Sequence, residues 1–253
     1  MYRLSIIVPL LSDSEQFEDT LVSVLQNRPG ECEVLVVHRG SYADPYELQD
    51  EVRFLEVEEH ADLATMLNAG FSEAGGEIIH FLLPGVLAGP GWTQPAVDRF
   101  RAPDIAAVAP VMLQAENPDR VALAGLCFTA GGRRVPNGAG RRADRADRVF
   151  RRKIVSPALT AGFWRSSAID SLGGFDESCG SLWSDVDCGL SLQVLGYRCV
   201  VEPESVVRGP AFADGSSLGY REGRRAERVF WRHIASRGWG SSLVFHPIAV
   251  AAT

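Results

Sequence analysis

The chain has 253 residues, of which 46% are hydrophobic and 23% are charged, and its formal net charge is -7. These values are ordinary for a soluble globular protein, and the length suits one α/β domain. No apolar run approaches the ~18 residues of a membrane span, and the net acidity does not suit a nucleic-acid partner. The five cysteines form no CxxC pair, so we expect neither a disulfide framework nor a zinc site, and we predict a cytoplasmic protein.

The first third of the chain alternates between strand-like and helix-like segments. "LSIIVPLL" (4–11) is apolar and β-branched, as expected of a buried strand, and the next segment has apolar residues at helical spacing up to Pro29-Gly30. This alternation is typical of a parallel α/β sheet, in which ligands bind beyond the carboxyl ends of the strands. The predicted elements are strands at 4–11, 32–41, 52–58 and 77–83, and helices at 14–30 and 62–76.

The rest of the chain is predicted to add further strands and helices around an arginine-rich stretch. Residues 131–153 are rich in Arg and Gly, and we predict a mobile loop there. Its charge fits either a solvated loop or a surface for an anionic partner. The other predicted elements are a strand at 102–113, a strand, short helix and glycine turn within 156–177, a helix from a Ser184 cap to Gly196, a strand to about Val201, and a helix at 219–240.

Six motifs occur in the order found in the family 2 glycosyltransferases. They are "SIIVP", "EVLVVHRGS", "LNAGFSEAGGEIIHFL", "GPGW", "GGFDE" and "SDVDCGLSLQVLGYRCVVEPESVV". The chain therefore resembles this family over about residues 4–208, which implies a single α/β domain with the GT-A fold, a mostly parallel sheet flanked by helices. The resemblance implies a nucleotide-binding-like half at 1–110, an acceptor-side half at 111–215 that includes the 131–153 loop, and a C-terminal helix and tail at 216–253.

The resemblance places the base of a nucleotide-sugar donor at the end of the second strand. Where the family has a carboxylate, this chain has His38, followed by the matching Gly40 and Ser41. A neutral imidazole can still hydrogen-bond a base edge, so a base pocket is one interpretation. The alternative is a histidine that merely ends a strand. The resemblance also assigns Pro9 and Asn68 to the donor side.

The metal site that the resemblance implies has lost its ligands. The family holds Mn or Mg through an Asp-x-Asp motif, because the cation neutralises the charge of the departing diphosphate. Those acids fall on Leu83 and Gly85, which remain donor-side candidates, and the family's later metal-binding histidine falls on Gly209. None of these side chains ligates a metal, so no metal cofactor is predicted.

Asp185 matches the general base that the family uses to take a proton from the acceptor hydroxyl. The alternative is an aspartate at a helix N-terminus, stabilised by backbone N–H groups and the helix dipole. Asp187 is interpreted as structural. The residues assigned to the acceptor side are Gly174, Phe175, Asp176 and Trp183.

Arginines are the groups that could replace the metal, because guanidinium binds phosphate through paired hydrogen bonds. Their helical spacing favours the other interpretation, in which the five helix arginines lie opposite an apolar face that includes Val229 and Phe230 and point into solvent. The cationic candidates are Arg208, Arg221, Arg224, Arg225, Arg228, Arg232 and His233.

Two functional hypotheses follow. The first is a glycosyltransferase that moves a sugar from a nucleotide-sugar to a hydroxyl of a glycan or lipid acceptor, with Asp185 as the base. The second is a non-catalytic GT-A-like domain that binds a glycan, a nucleotide or a protein partner, as the joint loss at residues 38, 83, 85 and 209 suggests.

Overall fold

The computed structural model describes residues 3–11, 14–40, 42, 44, 47–211, 219–237, 240 and 244–246. Among these residues the strands are β1 Leu4–Leu10, β2 Cys32–Arg39, β3 Arg53–Val57, β4 Ile78–Phe81, β5 Leu87–Ala88, β6 Ile105–Gln114, β7 Val121–Leu123, β8 Leu126–Phe128, β9 Arg134–Pro136, β10 Phe163–Arg165 and β11 Arg198–Gly209. The α-helices are α1 Ser14–Asn27, α2 Leu63–Glu73, α3 Thr93–Arg99, α4 Asp147–Phe150, α5 Ser166–Asp170, α6 Gly180–Val194 and α7 Tyr220–Arg237. Three 3-10 turns lie at Leu48–Asp50, Ala143–Arg145 and Glu177–Cys179.

The strands build a mixed sheet in the order β3-β2-β1-β4-β10-β6-β11-β5, with β7 paired to β6. Strands β1 to β4 pair in parallel, and β6 pairs in parallel with β11. β10 is antiparallel to both β4 and β6, so β6 and β11 run in the same direction as β1. β8 and β9 form a separate hairpin. The predicted α/β domain with a mostly parallel sheet is confirmed.

Two apolar layers cover the faces of the sheet, because the central strands are apolar on both sides. Ile6 and Val8 of β1 point into the layer that α1 and α3 cover, whereas Ile7 points into the layer formed with α2. All three side chains are fully buried. Such strands carry no alternation of polar and apolar residues, as expected when helices cover both faces of a parallel sheet.

The stretch 131–153 contains short regular elements in the structure. It holds β9, the 3-10 turn at Ala143–Arg145 and the single-turn helix α4. The predicted mobility of this stretch stays a prediction. None of the helices in the described part of the chain combines the length and the apolar character needed to cross a membrane.

His80 on β4 is buried in the neutral form. Its Nδ1 lies 3.1 Å from the Gly162 carbonyl oxygen, and Trp92 Nε1–H donates to its Nε2 at 3.1 Å. The carbonyl can only accept and the indole can only donate, so the proton is on Nδ1. Burial lowers the pKa of His80 to about 3, against a slight opposing effect of the Gly162 bond.

We expect His80 to destabilise the fold in acid. Its pKa falls from 6.5 to about 3 on folding, so the unfolded chain binds the proton first as the pH drops. The contribution of His80 to stability is fully present above about pH 6.5 and should fall by about 2 kcal/mol between about pH 7 and about pH 5. Urea unfolding of the wild type and of His80→Gln at both pH values measures this loss. The carboxylates titrate in both proteins, so their effect on the free energy of unfolding cancels when the two are compared. Equal losses in the two proteins would contradict the expectation.

Candidate functional site

The carboxyl ends of β1, β2 and β4 meet at one edge of the sheet, as parallel pairing requires. Leu10 of β1 is the register partner of His38 on β2, and Ile7 is the partner of Phe81 at the end of β4. This edge therefore carries the predicted donor-side residues Pro9, His38, Gly40, Leu83 and Gly85. Ser41 lies outside the described residues.

His38 is buried and its tautomer is defined by one short contact. Its Nδ1 lies 2.7 Å from the Gly40 carbonyl oxygen, which can only accept, so Nδ1 carries a proton, and in the neutral ring Nε2 is then an acceptor. The ring lies 5.8 Å from that of Tyr42 and 6.4 Å from that of Phe54, and these two rings are stacked on each other. The site thus offers an aromatic surface and a neutral acceptor in place of the family's carboxylate.

Arg39 is a candidate that the sequence analysis did not single out. It is the last residue of β2, and its Nε is buried without a hydrogen-bond partner among the described residues. Buried donors are almost always paired, so this guanidinium N–H makes Arg39 a further candidate for binding an acceptor group at this edge. An arginine at the end of a strand gives no such signal in sequence, because most of them are solvated.

The turn at Leu83–Gly85 and the end of β11 lie side by side, as a shared metal site would require. Gly85 has φ of +86°, and its N–H donates to Thr20 Oγ1 at 3.0 Å. A Cβ atom built on Gly85 would lie 2.9 Å from Gln16 Oε1 and 4.0 Å from Pro210 Cδ. Gln16 of α1, another residue missed by the sequence analysis, therefore fills the space that a side chain at this position would need.

The other metal position is also closed. A Cβ atom on Gly209 would lie 2.6 Å from Met112 Sδ and 3.4 Å from Val86 Cγ2, so the buried core occupies the place of the family's histidine. Leu83 is apolar. Mn²⁺ and Mg²⁺ require oxygen or nitrogen ligands, and these three positions supply none from their side chains. The residues present do not fit the family's metal.

Asp185 lies in the second turn of α6 and is 1% exposed. Arg134 of β9 binds both of its oxygens, with Nε 3.3 Å from Oδ1 and Nη2 2.8 Å from Oδ2. The Val186 N–H also donates to Oδ1, at 2.7 Å. The predicted cap at Ser184 is wrong, because α6 begins at Gly180, so the interpretation of Asp185 as a helix N-terminal residue fails with it. An arginine, rather than a helix terminus, balances its charge.

Asp187 and Asp176 are joined to α7 by Arg232 and His233. Asp187 is 4% exposed and accepts from Arg232 Nη1 and His233 Nε2, both at 2.9 Å. The other Arg232 nitrogen lies 2.6 Å from Asp176. The structural role predicted for Asp187 thus has a definite form, which is to clamp α7 onto α6. Arg232 is 40% exposed, as predicted for the polar face of α7, and its guanidinium group also reaches two carboxylates.

These carboxylates are engaged by cations of the protein itself. Burial alone would raise the pKa of Asp176, but hydrogen bonds from Ser178 and Arg232 outweigh it and hold the pKa below its ordinary value. Cys179 lies beside Asp176 and Asp187, and burial and the two carboxylates raise the pKa of its thiol to about 12. A protonated thiol between two ion-paired carboxylates is a structural cluster rather than a metal site.

The acceptor-side turn is held by Asn68 of α2. Its Nδ2 donates to the Phe175 carbonyl oxygen and its Oδ1 accepts from the Phe175 N–H, each at 2.9 Å. A Cβ on Gly174, which has φ of +96°, would lie 2.9 Å from that Oδ1, so glycine allows the close approach. The hydrogen bonds of the Asn68 side chain therefore hold the acceptor-side turn. Its predicted donor-side role stays a prediction.

Trp183 is a second buried group with an unused donor. It is 3% exposed, its ring meets Phe128 edge to face at 6.5 Å, and its Nε1 has no partner among the described residues. Phe175, by contrast, packs into the core against Phe81 and Trp164. Of the acceptor-side candidates, Trp183 therefore keeps hydrogen-bonding capacity for a ligand, and Phe175 serves packing.

The chain matches one family model and is similar in structure to known glycosyltransferases. A family model described as Glycosyl transferase family 2 matches residues 5–156. No curated protein matches the chain. Among solved structures, a mannosyltransferase, PcManGT from Pyrobaculum calidifontis in complex with GDP-Man and Mn²⁺, has a TM-score of 0.64 at 20% identity, covering 92% of this chain and 64% of its own. GalNAc-T7 with UDP, GalNAc and Mn²⁺ has a TM-score of 0.69 at 12% identity, covering 91% of this chain and 48% of its own.

These similarities confirm the predicted GT-A fold. At 20% and 12% identity they show the fold alone. The chain spans less than two thirds of the length of either protein, with 64% and 48% of them covered.

Proposed function

The chain belongs to glycosyltransferase family 2, and on this premise we propose that it transfers a sugar from a nucleotide-sugar to a hydroxyl acceptor without the family's carboxylate-bound metal. The observation that supports the proposal is Asp185, a buried carboxylate on α6 that the resemblance in sequence matches to the family's base. The acceptor oxygen attacks the anomeric carbon, and its proton passes to Asp185. The bond from that carbon to the diphosphate breaks, and its electrons leave with the nucleoside diphosphate.

The donor would be held by the edge formed by β1, β2 and β4. His38 Nε2 is an acceptor for an N–H of the base, and the stacked rings of Tyr42 and Phe54 offer it an apolar surface. Arg39 and the exposed Arg208, which pairs with Leu87 near the Leu83–Gly85 turn, are the cations placed for the diphosphate. Guanidinium groups neutralise phosphate oxygens without a bound ion.

The transfer step requires Arg134 to move. In the described conformation this arginine covers both oxygens of Asp185, so an acceptor hydroxyl has no access to the base. Arg134 lies on the β8–β9 hairpin, which is outside the main sheet. A shift of this hairpin on acceptor binding would free the carboxylate.

A second candidate function is binding without transfer. The buried Arg134–Asp185 pair favours it, because the base is paired and 1% exposed, and so does the closed metal position at Gly85 and Gly209. On this proposal the domain retains a nucleotide or glycan site and presents it to a partner. The five cysteines, all free thiols, support the cytoplasm as the compartment in either case.

One experiment separates the two candidates. Calorimetric titration with UDP- and GDP-sugars, with and without Mn²⁺, measures binding, and release of nucleoside diphosphate with a panel of glycan and lipid acceptors measures turnover. We expect binding that Mn²⁺ does not change, and turnover that falls at least about 100-fold in Asp185→Asn. The control is Asp144→Asn, which removes a carboxylate from an exposed pair with Arg142 and should leave turnover unchanged.

Each outcome decides a point. Turnover that survives Asp185→Asn would overturn the assignment of the base, and binding without turnover would identify the second candidate. Binding that depends on Mn²⁺ would show that a metal is held by groups other than those at residues 83, 85 and 209.

A further inference from the structure

A large basic pocket lies away from the donor edge. Its volume is about 760 Å³, within the range of pockets that enclose small organic ligands. It is formed by the end of α3, the residues after α4, the last turn of α6 and the start of β11. Its basic lining residues are Arg99, Arg151, Arg152, Lys153 and Arg198, and among the described residues no acidic side chain lines it.

The pocket and the donor edge are at opposite ends of the strands. Arg198 begins β11 and is the register partner of Ile105, which begins β6. Both strands run in the same direction as β1 and β4, so the pocket is at the amino-terminal edge of the sheet and the donor-side residues are at the carboxyl-terminal edge. The pocket is therefore separate from the proposed transferase site.

Its positive charge exceeds what the protein itself neutralises. Arg99 is paired with Glu202, and Arg198 is paired with Asp104 at 2.6 Å. Arg151, Arg152 and Lys153 are exposed and make no side-chain hydrogen bond or ion pair with any described residue. Three adjacent cations at one rim repel each other unless an anion lies between them. The last three residues of the arginine-rich stretch 131–153 thus line one pocket.

The lining also has an apolar part, called the apolar wall below, beside polar groups such as Gln193. The residues of the apolar wall are Phe150, Ile154, Leu190, Val194 and Tyr197. Val194 is 62% exposed, so its apolar surface is open to a ligand. An inorganic anion would contact the cations but would leave the apolar wall exposed to water.

We propose that this pocket binds an organic phosphate, a phosphate ester with an apolar portion. Its phosphate would lie against Arg151, Arg152 and Lys153, where guanidinium groups donate paired hydrogen bonds to its oxygens. Its apolar portion would cover Val194, which is exposed. This site does not depend on the proposed transferase function, because none of its residues lies at the donor edge.

Calorimetry with a soluble short-chain lipid, dihexanoyl phosphatidic acid below its micelle concentration, tests the proposal against inorganic phosphate. We expect the lipid to bind at least about tenfold more tightly than inorganic phosphate, since about 1.4 kcal/mol of apolar burial suffices. The triple variant R151Q/R152Q/K153Q should weaken lipid binding at least about tenfold. The matched control, R141Q/R145Q/R148Q, removes the same charge from the same stretch outside the lining and should change it less than about twofold.

Several results would overturn the proposal. Equal losses of lipid affinity in the two triple variants would mean that the lipid responds to net charge and not to a specific site. Unchanged lipid affinity in R151Q/R152Q/K153Q would show that these three cations do not bind the phosphate. Inorganic phosphate binding as tightly as the lipid would exclude the apolar wall. Displacement of the lipid by UDP would assign it to the donor edge instead. All variants change exposed side chains, and unaltered melting temperatures verify that they fold.

Discussion

Arg134→Met is expected to destabilise the protein by about 3–5 kcal/mol, because it removes one partner of a buried ion pair. Arg134 is 10% exposed and Asp185 is 1% exposed, so the substitution leaves a carboxylate buried without a counter-ion. Removing one partner of a buried pair costs far more than the pair itself is worth, because the remaining charge is neither hydrated nor neutralised. Urea denaturation measures the loss.

The double variant R134M/D185N separates this cause from lost packing. Without the carboxylate no buried charge remains, and we expect the double variant to recover at least about 1 kcal/mol relative to Arg134→Met. Arg142→Met is the matched control, since Arg142 and Asp144 form an exposed pair whose loss should cost less than about 1 kcal/mol. If Arg134→Met behaves like this control, Asp185 is not held by Arg134 in the folded protein.

Several helices and strands of the fold could be predicted from local sequence alone. The predicted helix at 62–76 is α2 Leu63–Glu73, and the predicted strand at 102–113 is β6 Ile105–Gln114. These segments have a clear apolar pattern and are bounded by Asp62, whose side chain caps the helix through the Thr65 N–H at 3.0 Å, or by glycine and proline turns. Where the apolar pattern and the residues that end a segment indicate the same element, tertiary contacts rarely change the outcome.

The start of α6 could not be predicted in this way. Ser184 has the side chain of a helix cap, but its Oγ donates to the Gly180 carbonyl oxygen at 2.7 Å, inside the helix. The helix begins at Gly180, which has φ of +63° and lies against the guanidinium group of Arg225. A serine that caps a helix and one that bonds back along it look the same in sequence, so the error carried over to Asp185.

Candidate roles depended on partners that are distant in sequence. Asp185 and Arg134 are separated by 51 positions, and Asp187 and His233 by 46. No local pattern connects such residues. The loss of metal ligands at Leu83, Gly85 and Gly209 was visible in sequence because it needed only residue identities, whereas the filling of that space by Gln16 and Met112 required the structure.

Gly189→Ala is expected to destabilise the protein by about 2–3 kcal/mol, although the same change in an ordinary helix position stabilises. Gly189 lies in α6, and a Cβ there would be 2.4 Å from the Val155 carbonyl oxygen and 2.6 Å from Ser156 Cβ. The first of these is a backbone atom, so α6 must move away from residues 155 and 156 to make room. Because α6 carries Asp185, this movement should also disturb the pair with Arg134.

Gly223→Ala is the control for Gly189→Ala, because no heavy atom of the described residues beyond its own helix backbone and chain neighbours lies within 4 Å of the Cβ position of Gly223 in α7. There the loss of backbone freedom in the unfolded chain should stabilise the protein by about 0.5 kcal/mol. The two substitutions thus have opposite expected signs for the same chemical change, and urea midpoints measure both. A Gly189→Ala variant as stable as the wild type would mean that α6 does not pack on residues 155 and 156 as closely as described, and that the position of Asp185 is not set by this contact.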